Sequence, residues 1–205
     1  MKVLIINGSP HAKGNTSLAI NEMVKIFDAE GVEVNVVQVG NKAIRGCMAC
    51  GHCFKTGQCV FKDIVNETAP LFEEADGIIF ATPVYYASAN GTLISFLDRL
   101  FFSTHFDKTM KVGASVVIAR RAGTTATFDE LNKYFAINQM PIASSQYWNN
   151  AFGREQGEVS QDGEGLQTMR TLAQNMIFLM KSIALGKEKF GLPEKEEWIP
   201  THFIR

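Results

Sequence analysis

The sequence predicts an α/β fold in which one parallel sheet is wound on both faces by helices. Short apolar runs alternate with amphipathic helical patterns along the chain, the order expected of a doubly wound sheet. The runs are apolar on both faces, as in strands covered by helices on either side. The hydrophobic share of 46% in 205 residues is enough to fill the core of one domain.

The elements follow in order. Val3–Ile6 reads as the first strand and Thr16–Glu30 as a helix, with Leu18, Ile20, Met23, Val24 and Phe27 near helical spacing and Gly31 closing it. The valine-rich segment Val32–Val39 reads as the second strand. Ile64–Glu74 reads as a helix carrying Pro70 as an irregularity, and Gly77–Ala81 as the third strand. Helix Gly91–Phe102, strand Val112–Ala119 and helix Ala126–Ile137 come next, then a short fifth strand, Met140–Ala143, and a long helix, Leu166–Leu185. Residues 1–185 form the expected domain, with 43–61 as a cysteine loop. Ser144–Gly165 is a second long excursion, polar and glycine-rich. Residues 186–205 form a charged tail holding Phe190, Trp198 and Phe203, expected to dock on the fold or on a partner subunit because disordered tails rarely carry such side chains.

The net charge of −1 gives no reason to expect nucleic acid or an anionic membrane as partner. No segment approaches the roughly 20 apolar residues of a membrane span. The apolar run behind Met1-Lys2 is only four residues long, too short for a signal peptide, so the cytoplasm is the expected compartment.

The only four cysteines, Cys47, Cys50, Cys53 and Cys59, fall within thirteen residues in the spacing C-x2-C-x2-C-x5-C. Four soft sulfur ligands on one loop suit an iron–sulfur cluster. Zinc ribbons usually divide their ligands into two knuckles some fifteen or more residues apart. Disulfides within such tight loops are strained. Zinc and free, redox-active thiols stand as the alternatives.

Three loops carry further chemistry. The first strand runs into Asn7-Gly8-Ser9-Pro10-His11-Ala12-Lys13-Gly14-Asn15-Thr16-Ser17. Glycine, hydroxyls and an amide there meet a helix N-terminus, whose unpaired N–H groups and dipole favour an anion such as a terminal phosphate. It is neither a dinucleotide fingerprint nor a P-loop; an ordinary capping loop is the plain alternative. The third strand runs into Thr82-Pro83-Val84-Tyr85-Tyr86-Ala87-Ser88, where paired tyrosines can stack on or edge a flat ring. The fourth runs into Arg120-Arg121-Ala122-Gly123-Thr124, where Gly123 permits close approach and either arginine sets positive charge near a ring or is a plain surface charge.

Together these loops resemble the NADPH-dependent FMN reductase branch of the flavodoxin-like superfamily. The matching residues are Gly8-Ser9-Pro10 with Gly14-Asn15-Thr16, Thr82-Pro83-Val84-Tyr85-Tyr86, and Leu97-Asp98-Arg99. With the four cysteines added, the chain is similar to the iron–sulfur flavoproteins of anaerobic prokaryotes. Ala119-Arg120-Arg121-Ala122-Gly123 and Gln146-Tyr147-Trp148-Asn149 strengthen the match, which covers most of residues 1–185. Where members often carry two acidic residues after the last cysteine, this chain has Lys62-Asp63.

The resemblance implies a flavodoxin-like five-stranded parallel sheet in the order 2-1-3-4-5, with the cysteine loop after the second strand. It implies noncovalent FMN, with the phosphate on residues 9–17 (Ser9, His11, Gly14, Asn15, Thr16 and Ser17) and the ring between Pro83, Val84, Tyr85, Tyr86, Arg120 and Gly123. It implies a [4Fe–4S] cluster on Cys47, Cys50, Cys53 and Cys59. The reaction class is then electron transfer, and no side chain stands out as a catalytic acid or base. A ferredoxin-like or NAD(P)H donor, a small-molecule acceptor and a homodimer or homotetramer complete the expectation. In this strand order FMN sits between the first and third strands. The cysteine loop leaves the second strand, roughly 10 Å from the third, so the cluster is expected to face another subunit's flavin. Two other functions remain open: an NAD(P)H-dependent FMN or quinone reductase without a functional cluster, and a non-enzymatic carrier or thiol redox sensor.

Overall fold

A computed structural model describes residues 1–201 and Phe203; the end of the expected tail, His202, Ile204 and Arg205, lies outside the described residues. In chain order the elements are β1 (Lys2–Asn7), α1 (Asn15–Ala29), β2 (Glu33–Gln38), α2 (His52–Thr56), α3 (Ile64–Glu74), β3 (Gly77–Tyr85), β4 (Ser88–Ala89), α4 (Gly91–Ser103), β5 (Val112–Ala119), α5 (Thr124–Ile137), β6 (Asn150–Phe152) and α6 (Gly163–Phe190), with a 3-10 turn at Glu158–Gln161. The sheet order is β2-β1-β3-β5-β6, all parallel, with β4 folded back antiparallel on β3. The spatial order expected from sequence is therefore present.

Both faces of the sheet are covered. Ile5, Ile79, Val116 and Ile118 pack under α1 and α6, against Ile20, Met23, Phe27, Leu172 and Met176. Leu4, Ile6, Ile78 and Phe80 pack under α3, α4 and α5, against Phe72, Phe96, Leu97, Leu131 and Phe135. Every residue of β5 is buried, which is why that strand reads as a nearly continuous apolar run, interrupted only by Ser115. β2 lies at the sheet edge and none of its residues is fully buried. Gly31 takes a left-handed φ of 69° just past α1, as its place in the sequence predicts. Asp63 caps α3 by accepting from the Val65 N–H at 3.1 Å, and α3 continues through Pro70.

The fifth strand is the main correction. Met140–Ala143 touches the sheet only through a bridge between Gly113 and Ile142. The named strand on that edge is β6, pairing Val117 with Asn150. Eight residue steps on the edge chain thus face four on β5, so the strand position is filled in two pieces around an inserted bulge. Sequence periodicity registers the first piece because it is apolar and misses the second because Asn149 and Asn150 are polar yet buried. Asn149 is held by Ser145 and the Ala143 carbonyl, and Asn150 by Thr124.

Two boundaries also move. β3 runs past Ala81 to Tyr85, because the two-residue turn Tyr86–Ala87 (φ 49° and 61°) folds β4 back on it. α6 runs to Phe190, five residues beyond the expected end at Leu185. Beyond it the described tail has no regular structure, and Trp198, Ile199 and Phe203 are 84%, 88% and 91% exposed on the single chain. One ion pair, Lys195 to Asp107 at 2.8 Å, holds it to the domain.

Candidate functional site

β1, β3, β5 and β6 all end at one edge of the sheet, where the winding reverses between β1 and β3. Ligands of open α/β sheets lie at such an edge. A cavity of about 500 Å³ opens there. Of the residues singled out from sequence, Ser9, His11, Gly14, Asn15 and Thr16 line one side, and Pro83, Val84, Tyr85 and Arg120 another. Ser17, Tyr86 and Gly123 are not on its wall.

The loop after β1 is held in shape by its own side chains. Asn7 Oδ1 accepts from the Ser9 N–H at 2.9 Å, and Asn7 Nδ2 donates to Ser17 Oγ at 3.1 Å. Ser17 Oγ in turn donates to the Ala12 carbonyl at 2.8 Å, so its hydroxyl is committed to the loop. The Gln38 amide donates to the Ser9 carbonyl, and Gly40 lies against the Gly8 and Ser9 backbone with no room for a Cβ. α1 begins with Gly14 and no side chain caps it. The N–H groups of Asn15, Thr16 and Ser17 therefore find no protein acceptor among the described residues, and that of Leu18 is the first to pair, with the Gly14 carbonyl at 3.2 Å. Thr16 is 2% exposed, and no buried side-chain oxygen is left unpaired among the described residues. Its hydroxyl has no protein partner among the described residues, and Thr16 lines the cavity. Free backbone donors, an uncommitted hydroxyl and a helix N-terminus are the donor set a phosphate group needs, so the residues present fit the FMN phosphate.

Asn15 acts differently from the sequence expectation. Its Nδ2 donates to the Glu155 carbonyl at 2.9 Å, and its Oδ1 accepts from the Gly157 N–H at 2.9 Å. It clamps the segment after β6 onto the start of α1. That segment, Gly153 to Gln156, forms a cavity wall that sequence reasoning missed. Its position follows from β6, the strand whose polar pattern hides it.

The β3–β4 hairpin forms the opposite lip. Tyr86 occupies a left-handed position that bulky residues seldom adopt, and its side chain is fully exposed. The Glu130 carboxylate clamps the hairpin, accepting from Ser88 Oγ at 2.8 Å and from the Ala89 N–H at 2.9 Å. Gly123 has a φ of 89°, and an added Cβ would meet Ala87 Cα at 2.8 Å. The 83–88 and 120–124 loops thus touch at Ala87 and Gly123. Tyr134 on α5 donates to Asp98 on α4 at 2.6 Å; burial, then that hydrogen bond to a carboxylate, raises the phenol well above its ordinary range.

The cysteine loop forms a second cavity, of about 300 Å³, and all four cysteines line it. Left-handed positions at Ala49, Gly51 and Gly57 curl the loop round it. Cys47 and Cys50 are exposed, and Cys53 and Cys59 half-buried. The remaining wall is mostly apolar, with Phe54, Val60, Phe61 and Phe102. Among the described residues no three potential ligands converge on a single ion. Four soft thiolates on the wall of one largely apolar cavity are a donor set that fits an iron–sulfur cluster. The two cavities share no lining residue. α4 begins beside the first, its Asn90 N–H donating to Thr82, and meets the second at Arg99, about 14 Å further along at 1.5 Å per residue.

Residues 1–155 match the NADPH-dependent FMN reductase family. The chain belongs to that family. Membership makes it an FMN-dependent oxidoreductase. An iron–sulfur flavoprotein of Methanocaldococcus jannaschii is 30% identical over 191 residues, covering 89% of this chain and 99% of its own length. An iron–sulfur flavoprotein of Methanosarcina thermophila is 28% identical, covering 92% of this chain and 100% of its own. Among solved structures, RosB with bound 8-demethyl-8-formylriboflavin-5'-phosphate aligns with a TM-score of 0.69 at 16% identity, over 100% of this chain and 94% of its own. The NAD(P)H:quinone oxidoreductase of Methanothermobacter marburgensis aligns at 0.65 and 14%, over 86% and 96%. A flavodoxin from the domain Archaea aligns at 0.56 and 14%, over 86% and 99%. At these identities the solved structures establish the flavodoxin-like fold. No helix among the described residues is long and apolar enough to cross a membrane.

Proposed function

We propose that this FMN-dependent oxidoreductase carries a [4Fe–4S] cluster on Cys47, Cys50, Cys53 and Cys59 and moves electrons between it and FMN. The observation that carries the reading is the single apolar cavity walled by all four cysteines. When bound, FMN supplies the change between two-electron and one-electron steps and the cluster supplies single-electron transfer.

The chain's own residues bind and orient. The first turn of α1 and Thr16 take the phosphate. The 83–88 hairpin and the 120–124 loop flank the ring, and Gly153 to Gln156 close the third side. No side chain in the cavity is assigned a proton transfer. The mouth of the cysteine cavity carries Met48, Phe54 and Phe102, which are 54%, 70% and 56% exposed. Apolar groups this exposed beside a redox site suit a partner surface. A second copy of the chain, bringing its flavin to this mouth, is the partner proposed within a homodimer or homotetramer. A ferredoxin-like protein or NAD(P)H is the proposed donor, a small molecule the acceptor, and the reducing cytoplasm the proposed setting.

Anaerobic reconstitution tests the reading. The wild-type protein should hold about four irons and four sulfides per chain besides FMN. Serine at any one cysteine should lower iron and the absorption shoulder near 400 nm while FMN stays bound, because the two cavities are separate. Wild-type iron content in all four single variants sinks the assignment. The cavity at the strand ends is complete without the cysteines, which favours a second reading: an NAD(P)H-dependent FMN or quinone reductase without a working cluster. Flavin bands alone, with rapid NAD(P)H oxidation, would identify it.

A further inference from the structure

We propose that Arg99 is a positioning residue of the cysteine site, holding Cys59 by a hydrogen bond to its sulfur and raising the reduction potential of whatever iron–sulfur centre that thiolate ligates, with Asp63 as the opposing charge. The proposal rests on the cluster reading above.

Arg99 lies on the buried face of α4 and is 1% exposed, the bulkiest of the fully buried side chains among the described residues. Its two terminal nitrogens form a fork to Asp63, Nη1 to Oδ2 at 2.8 Å and Nη2 to Oδ1 at 2.9 Å. Nη1 also reaches the Arg45 carbonyl at 3.5 Å. A brace between α4 and the start of α3 would need no more than this fork. The remaining Nε–H donates to Cys59 Sγ at 3.2 Å. A guanidinium keeps its proton at every ordinary pH. The group is a permanent cation.

Cys59 is the best-fixed of the four cysteines. Asn66 pins its backbone from both sides, donating to the Cys59 carbonyl at 2.9 Å and accepting from its N–H at 2.9 Å. With the backbone held by Asn66 and the sulfur by Arg99, Cys59 is the preset ligand around which the more exposed Cys47 and Cys50 close. The guanidinium packs 5.0 Å from the Phe61 ring, with Arg45 4.8 Å from the same ring. Aromatic and aliphatic walls leave little water to screen the charge. Adding an electron makes an iron–sulfur centre more negative. A fixed cation and an N–H donor at a ligand sulfur both favour that reduced state. Asp63, whose side chain is 33% exposed, works in the opposite direction.

The two charges give predictions of opposite sign, which a merely structural pair would not. Arg99→Met removes the cation and the sulfur hydrogen bond, so the midpoint potential should move to more negative values. Asp63→Asn keeps an oxygen to cap α3 and removes the opposing charge, so the potential should move positive. Both are measured on anaerobically reconstituted protein by spectroelectrochemical titration of the cluster band, with iron and sulfide counted and the EPR spectrum of the reduced centre recorded. Opposite shifts at wild-type iron content, with altered g-values in Arg99→Met, support the proposal. If Arg99→Met fails to fold, Asp63→Asn decides alone, and an unchanged or negative shift there overturns it. Shifts of the same sign, or potentials and g-values equal to wild type, overturn it as well. Wild-type protein that takes up no iron and sulfide removes the cluster reading itself, and this proposal with it.

Discussion

Thr16→Val isolates the phosphate contribution to flavin binding. Thr16 is the second residue of α1 and is almost fully buried, yet its hydroxyl has no protein partner among the described residues, and Thr16 lines the strand-end cavity. Valine keeps the branched shape and nearly the same volume, so the helix start and packing are retained. What is lost is one hydrogen bond to a charged group, worth about 1.5–3 kcal/mol. At 1.4 kcal/mol per tenfold, the FMN dissociation constant should rise about 10- to 150-fold. Riboflavin, which shares the ring and lacks the phosphate, should bind the variant as it binds wild type. Flavin-fluorescence quenching titrations of the apoprotein with both ligands, at one ionic strength, measure the pair. An equal loss for riboflavin would show that the substitution disturbed the ring site or the fold. An unchanged FMN constant would place the phosphate elsewhere.

Gly40→Ala should abolish FMN retention and lower stability by about 1–3 kcal/mol, a typical cost of overpacking, because the new Cβ meets the Gly8 and Ser9 backbone itself. Gly186→Ala in α6, with open space around it, is the control, expected to keep flavin and gain a few tenths of a kcal/mol in chemical denaturation. Glu22 on α1 pairs with Lys25 of the same helix at 2.8 Å and joins α6 through Arg170 at 2.6 Å, and the hydrogen bonds from Lys25 and then Arg170 hold its carboxyl below the usual range. The stability it adds, about 1 kcal/mol for partners this exposed, is full above the unfolded value near 4.3 and is lost as pH falls through the depressed folded one. Urea midpoints of wild type and Glu22→Gln should therefore differ at pH 7 and converge as the pH falls below the depressed folded value. Truncation after Gly191 should reduce the native mass on light scattering while circular dichroism and FMN affinity stay at wild-type values, since one exposed ion pair ties the described tail to its own domain; a truncated protein of unchanged mass denies the tail a role in assembly.

The order of the sheet was legible because a buried parallel strand writes itself as a nearly continuous apolar run. β1, β3 and β5 supply such runs at Val3–Ile6, Ile78–Ala81 and Val112–Ala119, and their burial accounts for them. Where hydrogen bonding rather than apolar burial fixes the backbone, the pattern falls silent. Asn149 and Asn150 hold the second piece of the fifth strand through side-chain partners 4 to 26 positions away, and residue type alone does not separate them from loop asparagines. α6 passes its expected end for a related reason: its last turns carry Leu185 and Phe190 exposed, so no buried stripe marks them.

The site divides along the same line. Glycines and hydroxyls after β1 announced an anion loop, since few other demands place them before a helix. They did not say which would meet the ligand. Ser17 offers the same hydroxyl as Thr16 and Asn15 an amide donor, yet Ser17 is tied to Asn7 and Ala12, and Asn15 to a wall 140 positions away. Thr16 remains free only because its neighbours are committed, a fact of the fold. The Leu97-Asp98-Arg99 run teaches the converse. Its three adjacent residues face three tasks: Leu97 fills the core under the sheet, Asp98 accepts from Tyr134 on α5, and Arg99 turns to Asp63 and Cys59. A helix turns about 100° per residue, so consecutive side chains necessarily leave in different directions. The motif is therefore best understood as the point where α4 meets the sheet, its neighbouring helix and the cysteine loop at once.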